Sequence, residues 1–154
     1  MTVFRGNHPA KVDPKGRLKL PTGFKERMDS AEINQFFITS DDGKCAQIWP
    51  LPEWEKQEAR LSECSTMDRP VGKFLNFTSY FGQQVGIDGE GRVLLPQLLR
   101  QRAKLDAEVA IIGKLDHLEV YNQASFEEEL MANPLTADDR DSLKETLKPR
   151  SADR

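Results

Sequence analysis

The chain of 154 residues is poor in several features, and each scarcity removes a class of reading. It has two cysteines and two histidines. Cys45 and Cys64 form no CxxC pair and no histidine cluster accompanies them, so the residues indicate no metal, no redox chemistry and no cofactor. Two reduced, unpaired thiols are expected. No apolar run approaches the roughly 20 residues of a membrane span, and the N-terminus has no signal-peptide hydrophobic region. A cytosolic protein without a membrane partner is expected. Charge of one sign is also lacking: the net charge is −3 with 31% charged residues, which excludes a protein that is basic all over. With 38% hydrophobic residues, the length suits one globular domain or one closely joined pair.

The charges that are present are unevenly placed. Between Met1 and Met28 stand Arg5, Lys11, Lys15, Arg17, Lys19, Lys25 and Arg27, opposed only by Asp13 and Glu26. Acid gathers later, in Glu127-Glu128-Glu129 and in Asp138, Asp139 and Asp141. A basic face on an acidic protein is what a steered encounter with a polyanion requires, although a solvated lysine-rich surface would look the same.

The chain repeats itself. Asp13-Pro14-Lys15-Gly16-Arg17-Leu18-Lys19-Leu20-Pro21 returns as Asp88-Gly89-Glu90-Gly91-Arg92-Val93-Leu94-Leu95-Pro96. Downstream, Phe24, Lys25 and Arg27 answer Leu99, Arg100 and Arg102; Ile48-Trp49 answers Val120-Tyr121, and Trp54 answers Phe126. The offset is 75 residues early in the unit and 72 later, which implies a loss of about three residues, expected in a loop. Such matched order marks a tandem duplication.

Each unit has the same physical plan. Gly89-Glu90-Gly91 is a turn signal, and in the first copy Pro14 presets φ while Asp13 can bond the backbone ahead of it. The β-compatible flanks predict a β-hairpin or a tight β-turn-β. Pro21 and Pro96 suit a helix start, predicting helices over 22–28 and 97–104. Strands are expected at Phe36–Thr39, Ala46–Trp49, Val109–Ile112 and Leu118–Tyr121, each unit reading β-β-α-β-β with a trailing helix. A unit of roughly fifty residues is marginal alone. Two such units are expected to close one barrel-like core around an internal pseudo-twofold.

Between the copies, a helix from Pro52 carries Trp54 and Leu61, and a second after Arg69-Pro70 carries Val71, Phe74, Leu75 and Thr78 on one stripe. The tail opens on Thr136-Ala137-Asp138-Asp139, a helix-start signal. Its stripe is only Leu143 and Leu147, so it frays or docks on a neighbour. Residues from Arg150 are expected to be disordered.

The doubled Asp-x-x-Gly-Arg turn at this spacing resembles the MraZ family of bacterial transcriptional regulators. Phe4-Arg5-Gly6, Pro50-Leu51-Pro52-Glu53-Trp54 and the run from Gly91-Arg92 into Pro96 and its Leu-Leu-Arg helix resemble it too, over roughly Phe4 to Leu130. The resemblance implies an α+β, mainly β fold: a duplicated AbrB/SpoVT-like swapped-hairpin β-barrel with flanking helices. It divides the chain into a first repeat (4–57), a helical connection (58–82), a second repeat (83–130) and an acidic helix and tail (131–154). It also implies a ring-shaped homo-oligomer that binds double-stranded DNA at promoter direct repeats of the division and cell-wall gene cluster. Repression is the usual outcome, in a cytoplasmic, nucleoid-associated protein with no small-molecule substrate.

Carried over by position, the resemblance puts Lys15, Arg17 and Arg92 on the DNA; Arg5, Lys11 and Lys25 are supporting candidates beside them. Arginine suits the task because its planar fork can grip phosphate or the guanine edge at two points. Lys15 is a point charge suited to phosphate, and Gly16 would let the turn approach the DNA closely. Asp13, Gly16, Asp88 and Gly91 are expected to build the turns, the aspartates holding the arginines or capping the chain. Glu90 stands where the first copy has Lys15, and Leu94 where it has Lys19, so the first copy is expected to be the main contact. Two other classes compete. One is a protein-interaction module of the same fold, antitoxin-like. The other is an enzyme using Asp13 and Asp88 as a proton-sharing carboxylate pair; the motif lacks the hydroxyl neighbours such pairs carry, so no catalytic residue is assigned.

Overall fold

A computed structural model describes residues 3–149; the tail from Arg150, expected to be disordered, lies outside the described residues. The chain runs β1 (Asn7–Lys11), β2 (Arg17–Lys19), α1 (Thr22–Ser30), β3 (Gln35–Thr39), β4 (Ala46–Pro50), α2 (Leu51–Ser62), then α3 (Arg69–Tyr80). The second copy follows as β5 (Gln83–Gly86), β6 (Arg92–Leu94), α4 (Gln97–Arg102), β7 (Glu108–Gly113), β8 (Leu118–Asn122) and α5 (Gln123–Ala132), and α6 (Ala137–Leu147) closes the chain. The expected β-β-α-β-β unit with its trailing helix is present twice.

The strand partners are where the duplication shows. Six strands form one antiparallel sheet in the order β1-β7-β8-β4-β3-β5, a palindrome about the β8–β4 pair. The remaining two, β2 and β6, pair with each other in a two-stranded ribbon, Arg17 opposite Leu94, Leu18 opposite Val93 and Lys19 opposite Arg92. Thus β1 joins β7 of the other copy, and β5 joins β3. The hairpin alternative is corrected: a tight turn links β1 to β2, but neither strand pairs with the other. Short strands of three to five residues cannot bury their apolar face alone; exchanging them across the pseudo-twofold lets both copies share one core. The expected α+β swapped-hairpin fold with flanking helices is the one observed, its sheet antiparallel, although the helices hold more residues than the strands and the chain is not mainly β.

Leu18 and Val93 on the ribbon's inner face pack with Leu20, Leu95, Phe24, Leu99, Phe36, Ile38, Ile48, Val109 and Ile111 in that core. Phe24 lies between Phe4 and Phe36, ring centroids 4.5 and 5.8 Å away. On the outer layer Trp54 of α2 stacks on Phe37 at 4.8 Å and meets Trp49 edge-on at 5.5 Å, while in the second copy Phe126 stacks on Tyr121 at 3.9 Å. In α3 the stripe of Val71, Phe74, Leu75 and Thr78 is the inward one: Thr78 is buried, its partners half-buried. Every residue of α6 is exposed, and its start is a capping box between Thr136 and Asp139. Among the described residues no helix is long and apolar enough to cross a membrane.

The three-residue difference between the copies is not in a loop. It lies in the helix: α1 has nine residues and α4 six. Both helices end on a non-glycine residue in the left-handed region, Glu32 and Lys104, each at φ +57°. Helix 97–104 therefore stops two residues earlier than expected.

Candidate nucleic-acid interface

The two Asp-x-x-Gly-Arg turns have the same geometry. In the first, the Gly16 amide donates to the Asp13 carbonyl (2.9 Å) and the Asp13 amide to the Arg17 carbonyl (2.9 Å); in the second, Gly91 donates to Asp88 (3.1 Å) and Asp88 to Arg92 (2.9 Å). The aspartate side chains cap what remains. Asp13 Oδ1 accepts the Lys15 and Arg17 amides at 2.9 and 2.8 Å, and its Oδ2 accepts Arg17 Nε at 2.8 Å. Asp88 does the same for Glu90 and Arg92, each bond 2.9 Å. These bonds, foremost the backbone amides of Arg17 and Arg92, hold both carboxyls below the usual range. Each carboxylate is taken up as the cap of its own turn and the partner of its own arginine.

Each turn is locked by the opposite copy. The Leu20 amide donates to the Gly91 carbonyl and the Leu95 amide to the Gly16 carbonyl, both at 2.9 Å. Gly16 sits at φ +86° and is buried; a Cβ there would lie 2.5 Å from Arg100 Cζ. Gly91, at φ +80°, is covered in the same way by the Lys25 stem, 2.8 Å from the Cβ position. The missing side chains thus make room for a cation reaching over from the other copy. Arg100 is held there by its Nε–H donating to the Leu95 carbonyl at 3.1 Å. Sequence reasoning missed Arg100 in this role. Its match to Lys25 was the available signal, but nothing in the sequence shows that α1 and α4 serve each other's turns.

Above the apolar face of the ribbon lies an exposed face formed by Arg17, Lys19, Arg92 and Leu94, because residues directly opposite in an antiparallel pair point the same way. Lys19 is directly opposite Arg92, a like-charge pair whose repulsion is offset by the Asp88 and Glu90 carboxylates on Arg92. Arg17 gives its Nε to Asp13, and no second side-chain acceptor is bonded to its guanidinium among the described residues. Arg92 is more fully engaged: Nε to Asp88 and Nη2 to Glu90 at 3.2 Å, pairings that raise its pKa, the Asp88 bond foremost.

Lys15 is exposed at the first turn and Lys11 is exposed one residue before Val12, leading into it. Lys25 reaches the second turn but its Nζ pairs with Asp29 at 2.8 Å. Arg5 is not brought to the turns. It lies before Asn7, at the end of β1 opposite to Lys11, and lines a depression with Glu26 and Arg27.

A model of the family described as "MraZ protein, putative antitoxin-like" matches residues 3–77 and 82–145, one span for each copy. Among similar proteins, "Transcriptional regulator MraZ" of Acidobacterium capsulatum is 50% identical over 143 residues, 93% of this chain and 98% of its own. The protein of that name from Koribacter versatilis is 43% identical, covering 92% and 97%. That from Thiobacillus denitrificans is 31% identical, covering 81% and 84%. The doubled turn, the palindromic sheet and these matches agree: the chain belongs to the MraZ family.

Proposed function

We propose that this protein is a DNA-binding transcriptional regulator that reads double-stranded DNA with the β2–β6 ribbon and its two turns. The observation that carries the reading is the exposed ribbon face. Three cations, Arg17, Lys19 and Arg92, stand on four positions of it, two directly opposed. Lys19 and the neighbouring Lys15 have no carboxylate partner among the described residues and so leave positive charge for a polyanion, and a two-stranded ribbon fits the major groove. The names of the relatives as transcriptional regulators support the same conclusion.

In this reading Arg17 is the principal contact, its guanidinium edge aimed outward by Asp13, and Lys15 and Lys11 neutralise phosphates beside it. Arg92 contributes less, because Glu90 competes for it. Arg5 serves in support, outside the ribbon. A single chain makes few phosphate contacts, so useful affinity comes from several copies on repeated sites. The ring-shaped homo-oligomer on promoter direct repeats of the division and cell-wall gene cluster, acting as a repressor at the nucleoid, is the form proposed here.

The test is fluorescence-anisotropy titration of the upstream region of the protein's own operon against a scrambled duplex, at two salt concentrations, for wild type and Arg17→Ala. Salt-sensitive binding that prefers the promoter and is lost in the variant supports the proposal. Promoter binding no tighter than scrambled binding refutes it. The second reading, an antitoxin-like protein-interaction module, has the family description in its favour, together with the exposed apolar side chains of Leu130, Met131, Leu135, Leu143 and Leu147. It predicts that Arg17→Ala changes nothing measurable on DNA.

A further inference from the structure

The pseudo-twofold that relates the copies is broken on the ribbon's outer face at one position. It exchanges Arg17 with Arg92 and Lys19 with Leu94, yet one member of the second pair is a cation and the other an aliphatic side chain that is 49% exposed. The backbone is not the cause, since both strands show the same sequence of half-buried, buried and exposed residues. Leu94 stands directly opposite Arg17, and the Cβ atoms of such a pair are about 5 Å apart. That separation suits side chains that touch neighbouring base pairs. The face therefore presents two unlike rows: Arg17 with Leu94, and Arg92 with Lys19.

From this we infer that Leu94 is a specificity-determining residue, contacting the C5-methyl group of a thymine next to the base read by Arg17. The inference rests on the DNA-binding reading above. Thymine alone among the four bases displays a methyl in the major groove, and aliphatic side chains recognise it by burial. The occupant taken for this exposed leucine is DNA, because Lys19 on the same face and Lys15 at the adjoining turn have no carboxylate partner among the described residues, and Arg17 gives only its Nε to Asp13. The opposite row pairs Arg92 with a lysine that can reach phosphate but cannot read a methyl. One chain thus reads a directional, non-palindromic site in spite of its internal symmetry.

The experiment uses the full-length protein and duplexes from its own upstream region in which single thymines are replaced by deoxyuridine, which removes only the methyl. Wild type should lose about 4-fold in affinity at one T·A position of each repeat, the effect of one buried methyl. Leu94→Ala should bind the unsubstituted duplex about as weakly as wild type binds the substituted one, with no further loss on substitution. Leu94→Lys, which restores the symmetry, should steepen the slope of log affinity against log salt by about 0.9. The inference is overturned if Leu94→Ala keeps the deoxyuridine penalty, or if no position shows one while Arg17→Ala still abolishes promoter preference. It is also overturned if Leu94→Ala changes the oligomer mass in light scattering, which would place Leu94 between copies. Absence of any promoter preference in wild type refutes the DNA reading itself, and this one with it.

Discussion

Replacing Gly16 by alanine tests the cross-copy lock at a single atom. The added Cβ meets two obstacles. First, a φ of +86° is one that L-residues adopt at a cost of about 1 kcal/mol. Second, the Cβ would lie 2.5 Å from Arg100 Cζ and 2.7 Å from Nε, so the guanidinium must leave. Its departure breaks the 3.1 Å bond to the Leu95 carbonyl, worth about 1 kcal/mol. The contact with Asp106 at 3.7 Å, between a largely buried arginine and an exposed carboxylate, adds a few tenths of a kcal/mol. The total is about 2–3 kcal/mol, which lowers a urea midpoint by roughly 1 M at a slope near 2 kcal/mol per molar. Two comparisons isolate the cause. Gly89→Ala, where an added Cβ meets nothing within 4 Å, should shift the midpoint little. In an Arg100→Ala background Gly16→Ala should cost only the backbone part, leaving a coupling of about 1 kcal/mol in the double-mutant cycle. Equal costs for Gly16→Ala with and without Arg100 would refute the idea that the glycine makes room for that side chain.

Further outcomes follow from other sites. His117 stacks on Trp49 at 4.0 Å and bonds Asp116 and Glu119 at 2.7 and 2.9 Å. Burial opposes its charging, but the two carboxylates outweigh it and its pKa is raised above 6.5. The stabilisation is complete below pH 6.5 and fades as pH rises through the raised value, so wild-type Tm should fall as pH is raised above 6.5. His117→Gln should flatten that decline; an unchanged pH profile would contradict it. Trp54→Ala, at a position 4% exposed between Phe37 and Trp49, should cost about 3–5 kcal/mol and weaken the near-UV dichroism, leaving the part owed to Trp49 and Tyr121. Glu90→Lys releases Arg92 Nη2 and adds a cation, so DNA affinity should rise and the salt slope steepen by about 0.9. Truncation after Pro134 removes only exposed residues of the described chain and should leave the Tm within about 2 °C.

Much of this architecture is legible in the sequence because the relevant signals are local. Asp13 and Asp88 announce turns, prolines 21 and 96 announce helix starts, and the Val71–Thr78 stripe tells which side of α3 faces inward. Strand partners are another matter. Alternation of apolar residues says that Leu18 and Val93 belong to strands with one buried face, but not which strand lies alongside. The exchange of β1 and β5 between copies is a property of chain closure, invisible to any window of ten residues. The helix ends were misjudged for a different reason. Glycine usually marks the left-handed residue after a helix, whereas here Glu32 and Lys104 fill that position, so the shorter α4 has no written stop. At the turns, the repeat alone matches Arg17 with Arg92, and Glu90 and Leu94 in place of Lys15 and Lys19 show that the copies differ. That Arg100 and Lys25 brace the opposite turns required three dimensions.

The exchanged strands also bear on how this chain is born. β1 ends at Lys11, and its partner β7 begins at Glu108. At 5–20 residues per second the ribosome takes about 5–20 s to cover that interval. In the later part of that interval the first copy, although fully translated, lacks partners for β2 until Arg92 and for β1 until Glu108. Its hydrophobic residues Leu18 and Leu20 wait for Val93 and Leu95 to emerge. Half of this protein is therefore not a smaller folded protein but a client for whatever shields nascent chains, and a premature stop after the first repeat releases unpaired strand edges.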